Sequence, residues 1–216
     1  MDNKKMFMSD FEKRQRCTMG ILVLLLPVAS LLLGLIGKNN PLGWYNSISN
    51  TYFSNSNAIM VSIIAISSFF FCTYKGYDWR DQLVNIISGV GLAGLLIFPC
   101  LNEGYKDQLV GVFCLPDRIS GRIHDICALT AFVGFFINIE FLFTIGDKNP
   151  TKQKKIRNII YRICGLFIIP VSASLFVLFS LKIGPSYLIM IAEFIALWPC
   201  GIAWLIKGGM FKFLND

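Results

Sequence analysis

The single histidine of the 216-residue chain is followed at once by an aspartate. His124 and Asp125 come just after Arg118, Ser120 and Arg122, at the start of a long apolar run. An imidazole beside a carboxylate can shift a proton or hold a polar group, and arginines can grip a phosphate through paired N–H donors. Glu193 carries another carboxylate into the last apolar run, six residues past Tyr187. On a helix that is a depth of roughly 9 Å. His124, Asp125, Arg122, Arg118, Ser120 and Glu193 therefore form the candidate ligand-binding set, converging in one outward-facing pocket. A structural alternative stands beside it. His124 would cap a helix entry, Asp125 would suit the positive N-terminal end, and the arginines would be interfacial. One serine near a histidine does not mark a nucleophile, so no catalytic residue is assigned.

Glu140 and Asn138 make a second candidate cluster near the other end of the same run. At about 100° per residue, Asn138 shares a helix face with His124, Ala128 and Ala131. That face points into a bundle. Glu140 looks elsewhere and is expected to pair with Arg162 or Lys75. Ionisable groups at this depth in apolar runs are costly and by default suggest function.

Other chemistries are excluded or weak. One histidine cannot build a two- or three-histidine metal site, and the seven cysteines show no metal-binding spacing. No metal and no cofactor is expected. Gly89 to Gly94 spells GxGxxG, but the nucleotide-binding form needs a strand before it and a helix after it. Here it lies inside an apolar run, where small residues let a second helix approach closely. Gly89 and Ala93 also offer a face for homo-oligomer formation. Cys100 and Cys114 fall on one side, 14 positions apart. They are either bridged or, as favoured, two free thiols. The cluster Lys75-Gly76-Tyr77-Asp78-Trp79-Arg80-Asp81 reads as a tight turn with local ion pairs.

The elements that must position these groups are spanning helices. Hydrophobic residues make up 55% of the chain and charged ones only 15%, far from a soluble domain. Six apolar runs, at 18–37, 58–74, 83–100, 123–145, 159–181 and 187–206, approach the ~20 residues that cross a bilayer. None alternates with the period of a barrel strand. The expectation is an all-α, polytopic membrane bundle of six helices in one domain. The first run is too long for a cleaved signal and reads as a retained span. Pro27, Pro170 and Pro199 lie inside runs, where they tend to kink helices.

Basic residues set the orientation. Lys4, Lys5, Lys13, Arg14 and Arg16 precede the first run, and a second group from Lys148 to Arg162 precedes or enters the fifth. With both termini cytoplasmic, that side collects 15 of the 20 Lys and Arg residues and the outer side 5. The net charge of +7 then needs no nucleic acid. Attraction to anionic lipid accounts for it, and membrane lipids are the expected partners. The outer loop 38–57 carries interfacial aromatics, Trp44, Tyr45, Tyr52 and Phe53.

Ile97-Phe98-Pro99 at the end of the third run, followed by Ser120-Gly121-Arg122-Ile123-His124 and a Phe-rich stretch from Phe132 to Phe136, forms a recognisable pattern. It resembles short six-helix membrane families with FP at one span's end and G-x-[IL]-H opening the next, and more loosely the DRAM/Frag/Sfk family. The resemblance covers residues 45–145. It implies six helices and an outer histidine, and no activity. Those families often carry Asp soon after FP, where this chain has Cys100. Three functions remain open: a non-enzymatic protein binding lipid or a small polar ligand, a small-solute or ion transporter or channel, and a membrane-embedded lipid hydrolase using His124 as base.

Overall fold

The computed structural model describes residues 10–36, 45–76, 78–146 and 149–215. Lys4, Lys5, Lys38, Trp44, Tyr77 and Lys148 lie outside the described residues. The described chain is an all-α bundle. It begins with α1 (Asp10–Ile36), a 3-10 turn at Ser49–Phe53, α2 (Asn57–Thr73) and α3 (Trp79–Ile97). A two-residue hairpin, β1 (Leu109–Val110) and β2 (Leu115–Pro116), leads into α4 (Asp117–Ile137), which continues as a π turn over Asn138–Leu142. α5 (Lys152–Leu166) passes through a second π turn, Phe167–Val171, into α6 (Ser172–Ser180). α7 (Leu188–Lys207) ends the bundle.

Five of the resulting helical rods are long and apolar enough to cross a membrane. α2, at 17 residues, is shorter and extends about 26 Å. The six-run expectation thus becomes five full-length candidates and one short apolar helix.

The helix ends depart from the apolar runs for local reasons. α3 stops at Ile97, three residues before the expected limit, because Phe98 turns extended ahead of Pro99. α4 starts at Asp117 rather than 123, so Arg118, Ser120 and Arg122 sit on its first turns instead of in a loop. The residue at its positive end is Asp117, not Asp125, and His124 lies seven residues in rather than at the cap. α5 likewise starts at Lys152. Thr151 caps it by accepting from the Lys154 N–H, so most of the expected polar loop is helix.

Small residues bring the helices together. α1 runs antiparallel to α7, and a Cβ on Gly20 would sit 2.8 Å from the Gly201 carbonyl oxygen. A Cβ on Gly91 would sit 2.8 Å from the Cys127 carbonyl oxygen, which fixes the close approach of α3 and α4. Gly89 faces α2, where Cys72 and Ser68 occupy the space a side chain would need. Trp204, fully buried, meets Phe70, Phe71, Tyr74 and Phe143 edge to face at 5.0–5.5 Å between ring centres. Such ring pairs add specificity beyond the area they bury. α6 buries none of its residues and forms the periphery.

Candidate functional site

The cluster around His124 is built at the end of α3. A helix leaves its last carbonyls without intrahelical partners, and in an apolar setting each must be satisfied elsewhere. Three consecutive carbonyls here are taken by three different groups. The Val112 N–H donates to Ile97 O at 3.3 Å. His124 Nδ1 lies 2.8 Å from Phe98 O. The Ser120 hydroxyl donates to Pro99 O at 2.9 Å. Ser120 and His124 lie one turn apart on α4, so both face this link. Gly121 lies between them, and a Cβ there would press to 3.0 Å on Leu101. Gly111, at φ +72°, passes close to Ile97 O and Pro99. The Phe98-Pro99 pair and the stretch Ser120 to His124 are therefore the residues that join α3 to α4.

A carbonyl only accepts, so the His124 contact puts the hydrogen on Nδ1 and leaves Nε2 as an acceptor. His124 is buried, at 7% exposure, whereas Asp125 and Arg122 are exposed. Arg118 reaches Asp107 at 3.8 Å, with both side chains largely exposed. Such a pair adds little.

Glu193 comes to the same end of the bundle from α7. It accepts from the Ile48 N–H and, at 2.9 Å, from the Ser49 hydroxyl. These groups open the 3-10 turn at Ser49–Phe53, so the carboxylate caps it. The next residue, Asn50, accepts a hydrogen bond from the Cys100 thiol at 3.2 Å. Burial, with the carboxylates of Glu193 and Asp125 in electrostatic range, pushes the Cys100 thiol up to about 12. Asp125 and Glu193 thereby lie in electrostatic range of one buried thiol, and His124 holds the Phe98 carbonyl two residues before it. Cys100 and Cys114 are both free, the first buried and the second exposed.

The second cluster divides as the helix wheel predicts. Asn138 is buried and pairs with Asn85, whose Nδ2 donates to Asn138 Oδ1 at 3.1 Å. Glu140 lies in the π turn and pairs with Arg162 at 2.7 Å. It packs against Gly165, where a Cβ would come within 2.2 Å of the carboxylate.

Sequence patterns alone missed a third group at the opposite end. Arg16 and Asp81 are both only 5% exposed. The Arg16 guanidinium lies over the Tyr74 ring at 5.3 Å, and Lys207 Nζ over the Phe143 ring at 4.8 Å. A narrow crevice lined by Tyr74, Asp81, Asn138, Leu142, Phe143 and Lys207 opens there. Arg16 and Lys207 look like ordinary flanking charges in the sequence. Their only signal is that each sits at the apolar boundary of a run.

Among the described residues, no three His, Cys, Asp or Glu side chains group to hold a metal. The chain matches no protein-family model, no curated protein and no solved structure.

Proposed function

We propose that this chain is a multi-pass protein of the cell membrane, with both termini cytoplasmic, that binds a small polar ligand or lipid headgroup at its outer end without turning it over. The carrying observation is the chain of hydrogen bonds that brings His124 of α4, through the Phe98 carbonyl, and Glu193 of α7, through Ser49 and its neighbour Asn50, to the segment that holds Cys100. Two helices far apart in sequence bring acceptor groups to one place, and Asp125, Arg122 and Arg118 stand exposed at its rim. A polar headgroup would meet carboxylate acceptors and guanidinium donors together. The positive-inside distribution of Lys and Arg supports the orientation.

The lipid-hydrolase alternative is disfavoured because the Ser120 hydroxyl is buried and donates to Pro99 O. A transporter is favoured by one feature, the two π turns, a geometry frequent at functional sites. A resemblance to six-helix families such as DRAM/Frag/Sfk is consistent with the bundle and adds no activity. Self-association through α3 would use half-buried Ala93 and exposed Val90, since α2 covers Gly89.

The test is to purify wild type, Asp125→Asn and Glu193→Gln with native lipid and to identify by mass spectrometry what stays bound. A species retained by wild type and lost from both variants is the expected result. Equal retention by all three proteins would sink the proposal.

A further inference from the structure

The two strands of the hairpin are joined by the turn Gly111-Val112-Phe113-Cys114, closed by the Cys114 N–H, which donates to Gly111 O at 3.2 Å. The two central positions of such a turn ordinarily go to Pro, Gly, Asn, Asp or Ser, which set or satisfy the backbone and suit water. Here they are Val112 and Phe113, at 69% and 63% exposure. Leu109 on β1 and Leu101 ahead of the hairpin are exposed as well. Single apolar residues scattered on a surface need no account, but an apolar group gathered in one connection marks something that covers it.

The position of the tip points to what that is. α3 is long and apolar enough to cross a bilayer, and it ends at Ile97. The Val112 N–H donates to Ile97 O, and the Phe113 ring meets the Phe98 ring at 5.8 Å between centres. The turn is thus folded back onto the end of a span. The other end of the hairpin is polar. The Asp117 N–H donates to Gln108 O, the Asp107 N–H donates to Asp117 Oδ1 at 3.2 Å, and Lys106, Asp107 and Arg118 are exposed. Ser120 and His124, which hold Pro99 O and Phe98 O, lie three and seven residues past Asp117 on α4. The tip is therefore roughly 5–10 Å deeper along the bundle than the polar base. At that depth α4 already turns an apolar stripe outward: Ile119, Ile126, Leu129 and Val133 are exposed, at the spacing of one helix face. An apolar tip below a charged base is the arrangement of a segment that lies in the membrane interface, with its apolar part about 5–10 Å into the headgroup and acyl boundary.

We propose that the hairpin is an interfacial anchor whose tip, Val112 and Phe113, enters the acyl margin of the leaflet at the α3–α4 end of the bundle. Its partner is lipid hydrocarbon near the glycerol level, with no demand on the headgroup. The turn backbone stays at headgroup level, where the Cys114 thiol is reachable from water. The proposal requires that α3 and α4 cross the bilayer. It depends neither on which end of the bundle faces the cytoplasm nor on the polar ligand proposed above.

The full chain is placed in phosphatidylcholine nanodiscs with the photoreactive amino acid p-benzoylphenylalanine replacing Phe113, Lys106 or Leu129 in turn, and the products of illumination are weighed by mass spectrometry. All three positions are exposed, so the probe displaces no packed side chain. Lipid adducts are expected at 113 and at 129, halfway along α4, and not at 106. Adducts at 129 but not at 113 overturn the proposal and put the tip in water. Equal adducts at 106 and 113 overturn it too, because the tip then has no special depth. A crosslink from 113 to a second copy of the chain overturns it in favour of an interface between copies. Lipid missing at 129 as well sinks the spanning reading and the proposal with it. Phe113→Trp gives a second readout. The emission it adds over wild type should be lost to lipids brominated in the upper part of their chains and kept in the presence of aqueous iodide. The reverse pattern overturns the proposal.

Discussion

His124 Nδ1 stands 2.8 Å from the carbonyl oxygen of Phe98, the residue that ends α3. The contact crosses 26 residues of sequence and satisfies a carbonyl that no helical N–H can reach, in surroundings with little water to replace it. Removing the imidazole should therefore cost more than an ordinary surface hydrogen bond. His124→Ala is expected to lower stability by about 1–3 kcal/mol, the penalty for orphaning a buried acceptor. Ser120→Ala, which orphans Pro99 O, should cost about 1 kcal/mol. Unfolding in detergent monitored by intrinsic fluorescence measures both, and unchanged midpoints would rule out the link.

Glu193 ties the segment between α1 and α2 to α7. Glu193→Ala removes the acceptor for Ile48 and Ser49 and should loosen residues 45–56. Hydrogen exchange there should rise well above wild type, with little change at the buried ring cluster around Trp204. Glu193→Gln keeps an acceptor oxygen and should fall between the two. Equal exchange in all three proteins would contradict the capping role.

Gly165 and Glu140 form one unit with Arg162. Gly165→Ala places a methyl where the carboxylate lies, so it should break the same ion pair that Glu140→Ala removes. Arg162 is 58% exposed in this pair, and solvent screening holds the ionic contribution to about 0.5–1 kcal/mol. Combining the two substitutions should cost no more than the larger single effect, apart from overpacking. Additive losses in a double-mutant cycle would show that they act separately.

Gly91 and Gly134 differ in what crowds them. An added Cβ at Gly91 meets the Cys127 backbone oxygen at 2.8 Å, whereas at Gly134 it meets the Ser88 hydroxyl at 1.9 Å. Gly134→Ala should be rescued by Ser88→Gly, because a side chain can be removed. Gly91→Ala should cost about 1–3 kcal/mol with no rescue from a neighbouring side chain. Melting temperatures of the two singles and the double decide it.

Cys114 is the exposed cysteine among the seven, and all seven are free. A membrane-impermeant maleimide applied to intact cells should label the protein, and Cys114→Ser should abolish the labelling. Labelling only after the cells are opened would reverse the proposed orientation.

The bundle itself was legible because apolar run length is a strong signal, and Asn138 joined His124 on a buried face as helix periodicity requires. The helix starts were less so. The first turns of α4 and α5 are polar and charged, so hydropathy sees loops where the backbone already winds. Thr151 ahead of Lys152 was a readable cap. The depth of Glu193 could be counted, but its partners come from Ile48 and Ser49, 145 and 144 positions away, and no spacing rule reaches that far. The group at the opposite end was illegible for a similar reason. Arg16, Asp81 and Lys207 come from three helices, and each taken alone is an ordinary charge at the end of an apolar run. Whether the acceptors around His124 and Glu193 also hold a ligand is a question about occupancy, which residue types and spacing do not encode.

The π turns at Asn138–Leu142 and Phe167–Val171 each wind one residue more than an α-helix needs for the same stretch. The extra residue is absorbed locally, so the helix on either side keeps its phase. Losing one residue there would not open a gap. It would let the helix relax into regular winding and leave the following segment in place. The same deletion in a regular stretch would swing everything beyond it by about 100°. One-residue deletions should thus be better tolerated within Asn138–Leu142 and Phe167–Val171 than elsewhere in the same helices, an asymmetry that hydropathy alone would not foresee.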